Sequence, residues 1–112
     1  MENYNGARNK MTTSEKIKEL VDSNDVVLFM KGDRRFPQCG FSSSACQILD
    51  ATGGSYETVD VLQDPDIREG VKVFSNWPTV PQLYVKGEFV GGADIMREMY
   101  ESGELSKIIP QT

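Results

Sequence analysis

The stretch VVLFMKGDRRFPQCGFSSSACQIL, residues 26 to 49, decides the fold. Its first five residues form a continuous apolar run, which predicts a strand covered on both faces and central in its sheet. The polar segment KGDRRFPQ follows as a loop, and CGFSSSACQILDAT predicts a helix that stops at Gly53-Gly54. The apolar residues of this helix are expected along one side: Phe41, Ala45, Ile48 and Leu49.

The flanking sequence adds six more elements. Thr12 and Glu15 form a capping box that predicts a first helix of about three turns. YETVDV alternates as a strand, and DPDIREGVKVF predicts a helix with Asp64 as its N-cap. QLYV and EFV flank Lys86 and Gly87 as a tight hairpin. ADIMREMYESGEL predicts one final helix with these residues inward: Ile95, Met96, Met99 and Tyr100.

The element order αβαβαββα predicts an α/β fold with a small mixed sheet between helices. Two βα crossovers predict parallel strands, and the closing hairpin adds an antiparallel pair. Ligands of such sheets sit outside the carboxyl ends of the parallel strands. Cys39 is expected there, because it follows the first strand.

Composition excludes several classes of protein. The 112 residues carry 17 acidic and 12 basic side chains, a net charge of -5, which argues against nucleic acid as a partner. Without histidine, neither His-based acid/base catalysis nor a Cys/His metal site is available. The longest apolar run is too short to span a membrane. Residues 1–11 are polar and turn-rich and are expected to form a flexible tail before a domain over residues 12–112.

The two cysteines are predicted to differ in role. Cys39 precedes a helix whose free N–H groups and dipole lower a thiol's pKa; the alternative is a small polar filler. Ser42 stands where a C-x-x-C motif has its second cysteine. Cys46 lies about two helical turns further, roughly 10 Å along the axis and too far for a disulfide. We interpret it as a semi-buried structural cysteine in a reducing compartment.

The motifs together resemble the monothiol glutaredoxin family, of the single-domain CGFS type. KG is followed after six residues by CGFS, then by WPTVPQLYVKGEFVGG and ADI, and the likeness runs from about Thr12 to Ile109. The resemblance implies a thioredoxin-like (glutaredoxin) fold, a central four-stranded mixed sheet flanked by helices. It also implies a glutathione site and a role in binding or transferring [2Fe-2S] clusters.

A [2Fe-2S] cluster normally needs four thiolates, and one chain offers only two cysteines. If Cys39 is the metal ligand, two subunits supply two thiolates, and the resemblance supplies two glutathione molecules for the rest. The protein would then be a homodimer with its cluster and a monomer without it. Ser42 fits this role, because a C-x-x-C pair tends to close into a disulfide and withdraw the ligand.

Five cations fall on segments expected near Cys39: Lys31, Arg34, Arg35, Arg68 and Lys72. The resemblance implies that Lys31 and Arg68 hold the glycine carboxylate of glutathione, assisted by Lys72; a solvated surface is the alternative. We expect Arg34 and Arg35 only to set the local field. Phe41 is either a core residue or, as the resemblance implies, the aromatic border of the thiol.

The segment Thr79-Val80-Pro81 is the second part of the expected site. A proline before a strand either caps the strand edge or forms a cis bond. The resemblance implies a cis Pro81, with the Val80 backbone pairing with the cysteinyl unit of glutathione. Trp77 is either buried beneath this loop or in contact with a partner.

The run Gly91-Gly92-Ala93-Asp94 is expected to complete the site. Its glycines allow close backbone approach and positive φ. Asp94 is expected to cap the last helix, leaving the N–H groups of Ala93 and Asp94 for an anion. The resemblance assigns the γ-glutamyl carboxylate to them. Ala93 stands where the family often has a cysteine, which removes one disulfide partner for Cys39.

Three functions remain open at this point. The favoured one is an iron-sulfur carrier that serves cluster acceptor or assembly proteins in the mitochondrial matrix or the cytoplasm. The second is a glutathione-dependent oxidoreductase, a weak enzyme at most, in which Cys39 attacks glutathionylated proteins. The third is a non-catalytic adaptor, which predicts that Cys39→Ser leaves function intact.

Overall fold

The computed structural model describes residues 11–111. The predicted tail therefore lies outside the described residues, apart from Met11. The helices are α1 (Thr13–Ser23), α2 (Gly40–Thr52), α3 (Pro65–Ser75), α4 (Ala93–Ser102) and α5 (Glu104–Ile108), with a short 3-10 turn at Val61–Gln63. The strands are β1 (Val26–Met30), β2 (Glu57–Asp60), β3 (Gln82–Val85) and β4 (Glu88–Gly91). None of the described helices is long and apolar enough to cross a membrane.

The four strands form one mixed sheet in the order β2-β1-β3-β4. All five residues of β1 are buried, so the prediction of a central strand is confirmed. β1 is parallel to β2 and antiparallel to β3, and β3 is antiparallel to β4. The prediction that both crossovers give parallel strands is wrong for β3. The pairs Met30–Asp60 and Phe29–Gln82 show that the chain leaves β2 and enters β3 at the same edge, so β3 runs the opposite way.

Alternation along β1 divides the apolar core between the two faces of the sheet. Leu28 and Met30 belong to the cluster that includes residues of α2, α4 and α5. Val27 and Phe29 belong to the other cluster, with residues of α1 and α3. The buried strand thus fixes helices on both sides, as its continuous apolar run predicts.

Local signals place the element boundaries as predicted. The Thr12–Glu15 capping box starts α1, and the Asp64 carboxylate accepts N–H groups at the start of α3. Lys86 and Gly87 adopt positive φ, 51° and 83°, which is typical of a two-residue hairpin turn. These short-range interactions need no tertiary context, which is why the sequence predicts them well.

The prediction for the last helix is wrong in two respects. The helix ends at Ser102, because Gly103 adopts a φ of 85°, and α5 follows as a separate short helix. Met96 is buried, but Ile95 and Tyr100 are 36% and 39% exposed. Because α4 is covered only on the sides that face α2, α5 and β4, its buried stripe is narrower than its apolar pattern.

Candidate functional site

The thiol of Cys39 lies at the edge of the sheet where β1 ends. Cys39 is the N-cap of α2, and its Sγ accepts a hydrogen bond from the Ser42 N–H at 3.3 Å. The Ser42 hydroxyl lies 3.3 Å from the same sulfur and also accepts the Lys31 N–H at 3.0 Å. Ser42 is fully buried. The Ser42 hydroxyl therefore connects the Lys31 backbone, directly after β1, to the Cys39 sulfur.

The pKa of the Cys39 thiol lies below its ordinary value. Partial burial opposes ionisation, but hydrogen bonds from the Ser42 hydroxyl, the Ser42 N–H and the Phe41 N–H outweigh it, and the Lys31 charge adds to them. A half-buried sulfur with a lowered pKa can act chemically as a nucleophile or as a metal ligand, because both reactions use the thiolate.

The loop that leads to Cys39 is held by its own hydrogen bonds. The Gln38 N–H donates to the Lys31 carbonyl at 2.8 Å, closing the loop at its base. The Gly32 N–H donates to the Asp60 carboxylate at 2.9 Å, which ties the loop to the end of β2. Asp33 accepts two N–H groups at the loop tip. These hydrogen bonds fix the backbone of the loop that precedes Cys39.

A cavity of about 480 Å³ opens beside the thiol. Ten of the eleven predicted site residues line it: Lys31, Phe41, Arg68, Lys72, Thr79, Val80, Pro81, Gly92, Ala93 and Asp94. Cys39 is not among the lining residues, although Lys31 and Phe41 beside it are. Three further residues complete the wall: Trp77, Pro78 and Ile95. The fold therefore brings five separate segments of the chain to one cavity.

Phe41 lines this cavity and is 66% exposed, so its placement beside the core residues of α2 is wrong. It occupies the first turn of α2, beyond the cover of the sheet. Ile95 is exposed for the same reason at the start of α4. Apolar residues at a cavity rim obey the same helical spacing as core residues, so periodicity alone does not separate them.

The cavity is cationic in an acidic protein. Lys31, Arg68 and Lys72 line it, against the single carboxylate of Asp94. Lys72 forms an ion pair with Glu69 at 3.1 Å. Within residues 11–111, no acidic side chain pairs with Lys31 or Arg68. Both therefore remain available for an anionic ligand.

Arg34 and Arg35 do not line the cavity, and the expectation that they set the local field stays a prediction. The Arg34 guanidinium lies 3.9 Å from the centre of the Tyr56 ring and 3.4 Å from the Asp50 carboxylate. Arg35 lies over the Phe36 ring at 5.8 Å. Each guanidinium thus lies over an aromatic ring, and that of Arg34 also contacts a carboxylate.

The wall opposite Lys31 is the segment Trp77–Pro81. The Val80–Pro81 peptide is cis, as predicted. Trp77 is 39% exposed and lines the cavity, so the interpretation of a tryptophan buried beneath the loop is wrong. Its ring centre lies 6.0 Å from that of Phe89, which supports one face of the indole.

The third wall is the turn into α4. Gly91 has a φ of 152°, and Gly92 is the N-cap. No side chain caps this helix, so the prediction that Asp94 caps it is wrong: the cap falls two residues earlier, where glycine has no side chain to supply. The first intrahelical bond is Met96 N–H to Gly92 C=O, which leaves the N–H groups of Ala93 and Asp94 without helical partners.

Cys46 is buried within the core, with its Sγ 3.5 Å from the Met30 Sδ. Burial raises the pKa of this thiol. Cys46 therefore packs as an apolar side chain of the core, unlike the half-buried Cys39. No group of three His, Cys, Asp or Glu residues suited to a metal ion occurs in the part of the chain that the structure describes.

Sequence reasoning missed the active role of Ser42. It was expected only to leave Cys39 unpaired, but it holds the sulfur through two hydrogen bonds. The spacing contains this signal, because the N–H three residues after an N-cap is the usual partner of a capping side chain. The contribution of Ile95 and Pro78 to the cavity has no comparable signal.

A mixed four-stranded sheet, a thiol at a helix N-terminus and a cis-proline segment beside it define a thioredoxin-like protein. The glutaredoxin family model matches residues 26–90. An uncharacterized monothiol glutaredoxin of Synechocystis is 55% identical over 87% of this chain and 91% of its own length. Glutaredoxin 4 of Escherichia coli is 50% identical over 90% of this chain and 88% of its own. The chain therefore belongs to the glutaredoxins, among the monothiol members.

Solved structures agree with this assignment. The solution structure of reduced poplar apo GrxS14 superposes with a TM-score of 0.73 at 50% identity, over 82% of this chain and 84% of that one. The buckwheat glutaredoxin–glutathione complex superposes with a TM-score of 0.77 at 28% identity, over 87% and 86%. Human Glutaredoxin-3 is 53% identical over 85% of this chain, which spans only 28% of that protein.

Proposed function

We propose that this protein binds glutathione in the cationic cavity and uses Cys39 to hold and transfer a [2Fe-2S] cluster. In this proposal Lys31 and Arg68, with Lys72 nearby, bind the glycine carboxylate. The free N–H groups of Ala93 and Asp94 bind the γ-glutamyl carboxylate. The cavity volume of about 480 Å³ is in the range of small-molecule sites. The buckwheat complex supports the proposal, because a relative of the same fold binds glutathione.

The remaining contacts follow from the cis-proline segment. The backbone of Val80, between Thr79 and Pro81, would pair with the cysteinyl unit of glutathione and direct its sulfur toward Cys39. Phe41 would border the two sulfurs and limit their contact with water. Gly92 would allow the ligand close to the backbone, since a Cβ there would lie 3.3 Å from the Pro81 carbonyl oxygen.

The observation that carries the cluster proposal is the contrast between the two thiols. Cys39 is half-buried with a lowered pKa, whereas Cys46 is buried with a raised one. Each chain thus offers one thiolate ligand, and a cluster normally takes four. Two chains and two glutathione thiolates complete the set, which predicts a homodimer with the cluster and a monomer without it.

The decisive experiment is anaerobic reconstitution with iron, sulfide and glutathione, followed by visible absorption and native mass. We expect a coloured dimer that requires both Cys39 and glutathione. Cys39→Ser should remain colourless, while Cys46→Ala, the matched cysteine control, should stay coloured. Colour that survives Cys39→Ser, or that forms without glutathione, would contradict the proposal. Full cellular function of Cys39→Ser would instead favour the adaptor.

The lowered pKa of Cys39 also favours a second function, reduction of glutathionylated proteins. The Cys39 thiolate would attack the glutathione sulfur, form a mixed disulfide and release the protein thiolate. A second glutathione thiolate would then attack that disulfide, releasing glutathione disulfide and restoring Cys39. A colourless monomer that turns over a glutathionylated peptide would support this function over cluster transfer.

The proposed partners are iron-sulfur acceptor or assembly proteins, which would receive the cluster from the dimer. A reducing compartment, the mitochondrial matrix or the cytoplasm, would keep Cys39 reduced. Transfer from the reconstituted dimer to an apo-ferredoxin, followed by the change in its absorption, would test this role. No transfer above the rate seen with free iron and sulfide would contradict it.

A further inference from the structure

Gln82 is a buried polar residue that links the cavity wall to the core through its side-chain amide. It begins β3 directly after the cis-proline segment, and its side chain is inaccessible to solvent. The side-chain nitrogen donates to the carbonyls of Trp77 and Thr79 at 3.2 and 3.1 Å. The side-chain oxygen accepts the Tyr84 hydroxyl at 3.1 Å. Both N–H bonds and the oxygen of this amide are therefore used.

We propose that Gln82 is the positioning residue that sets the shape of the cavity wall Trp77–Pro81. This segment has no regular structure of its own. Its start is fixed by the Trp77 N–H, which donates to the Lys72 carbonyl and to the Ser75 hydroxyl, both at 3.1 Å. Between that point and β3, Gln82 supplies the side-chain bonds to the backbone of the segment. Without them two partly buried carbonyls lose their donors.

Tyr84 fixes which way the amide faces. Its ring is held by three aromatic neighbours, with ring centres 5.6 Å from Phe29, 6.0 Å from Phe74 and 5.4 Å from Phe89. Its hydroxyl donates to the side-chain oxygen of Gln82, so the nitrogen must face the two carbonyls. A chain of hydrogen bonds, from Tyr84 to Gln82 and from Gln82 to Trp77 and Thr79, thus links the aromatic core to the cavity wall.

At position 82, only a primary amide can both donate to the two carbonyls and accept the Tyr84 hydroxyl. Methionine has a similar size and shape but no donor, so Gln82→Met leaves both carbonyls unpaired. A glutamate would direct an oxygen toward two carbonyl oxygens, so Gln82→Glu replaces attraction with repulsion. Tyr84→Phe keeps the ring but removes the hydroxyl, which orients the amide and also bonds to the Ser75 side chain. Because the bonds from Gln82 to the two carbonyls remain, the effect should be weaker in the same direction.

Gln82 and the thiol are separate in their contacts. The hydrogen bonds to Cys39 come from Ser42 and Phe41, and within residues 11–111 neither is hydrogen-bonded to Gln82. Loss of Gln82 should therefore change how a ligand is held without changing the ionisation of Cys39. A purely structural role would instead lower stability and leave the cavity wall and ligand affinity as they are.

The test compares Gln82→Met, Gln82→Glu and Tyr84→Phe with Gln47→Met, a matched control at an exposed position of α2. Trp77 is the only tryptophan of the chain, so acrylamide quenching of its fluorescence reports on the wall directly in the ligand-free protein. Backbone order parameters of Thr79 and Val80 give an independent measure. Glutathione affinity and the pH profile of Cys39 reactivity toward a small disulfide complete the set.

We expect stronger quenching of Trp77, lower order at Thr79 and Val80, and about tenfold weaker glutathione binding in both Gln82 variants. Tyr84→Phe should show a smaller change, and Gln47→Met none. The Cys39 pH profile should match wild type throughout. Wild-type quenching, order and affinity in Gln82→Met would overturn the proposal, even if its stability falls. If Gln82→Met fails to fold, unchanged quenching and order in Tyr84→Phe would overturn it.

The affinity measurement rests on the proposed glutathione site, whereas quenching and order do not. If the wild-type protein fails to bind glutathione, the proposed function fails, and the wall measurements still decide the role of Gln82. If glutathione binds equally well to all variants while the wall loosens, the wall is positioned by Gln82 but does not hold the ligand, which overturns the link to binding.

Discussion

Replacement of Ser42 by alanine tests how the thiolate is stabilised. The Ser42 hydroxyl lies 3.3 Å from the Cys39 sulfur, and the substitution removes this bond while the Ser42 N–H remains. A hydrogen bond to a charged group contributes about 1.5–3 kcal/mol, and the long distance and partial exposure favour the low end. Since about 1.4 kcal/mol is a factor of ten, the thiolate fraction at a pH below the pKa of Cys39 should fall about tenfold.

The rate of reaction falls by less than the thiolate fraction. A more basic thiolate is a better nucleophile, with a Brønsted coefficient of about 0.4–0.5 in thiol–disulfide exchange. This recovers about threefold of the tenfold loss, so Ser42→Ala should react about threefold more slowly at low pH. At high pH, where both thiols are ionised, the variant should react about threefold faster. The two pH–rate profiles are therefore expected to cross.

The assay follows reaction of the protein with a small symmetrical disulfide between about pH 4 and pH 10. Ser44→Ala is the matched control, since this serine lies on the same helix and its side chain has no hydrogen bond among the described residues. Its profile should coincide with that of wild type. Profiles of Ser42→Ala that stay parallel to wild type at every pH, or that coincide with it, would refute the role given to the hydroxyl.

Three further predictions concern the ligand, the pH dependence of stability and the backbone. Lys31→Met should weaken glutathione binding about fivefold to tenfold by calorimetry, because it removes from the cavity a cation that has no acidic partner within residues 11–111. Lys107→Met, at an exposed position of α5, should leave binding unchanged, and equal effects of the two variants would contradict the site. Burial, and after it the hydrogen bond to Asp50, raises the pKa of Tyr56 in the folded protein. The neutral phenol therefore stabilises the fold fully below the ordinary phenol pKa of about 10, and this stabilisation is lost as the pH rises above that value. Urea titrations should show a shallower alkaline loss of the free energy of unfolding in Tyr56→Phe, and an unchanged slope would contradict this. Gly91→Ala should cost about 1–3 kcal/mol of unfolding free energy, because φ is 152° and a Cβ would lie 2.8 Å from the Cβ of Ile95; no loss in the same titration would contradict the strain.

The sequence predicts best what depends on neighbours along the chain. The capping box at Thr12, the N-cap at Asp64 and the Lys86-Gly87 turn are each fixed by a few adjacent residues. The buried run of β1 is equally local, because a strand buried on both faces must be apolar throughout. These elements then leave few ways to arrange the sheet.

The sequence does not predict the direction in which the chain returns to the sheet after β2, or which apolar residues stay exposed beside the cavity. The opposite direction of β3 is set by the length and path of the connection through α3, which no motif encodes. The exposure of Phe41 and Ile95 follows from their place at the cavity rim, beyond the cover of the sheet. An apolar residue at such a rim has the spacing of a core residue, so only the packed structure separates the two.

The antiparallel return of β3 is also what assembles the candidate site. Because β1 and β2 end at the edge where β3 begins, the loop to Cys39, the helix α3 and the segment before Gln82 all meet there. Two buried polar residues hold different parts of this edge in place: Ser42 bonds to the thiol, and Gln82 bonds to the cavity wall Trp77–Pro81. A second cysteine at position 42 would exchange the hydroxyl that holds the thiolate for a partner that oxidises with it. The monothiol motif thus leaves Cys39 without a disulfide partner at position 42 and gives its sulfur a hydrogen-bond donor there.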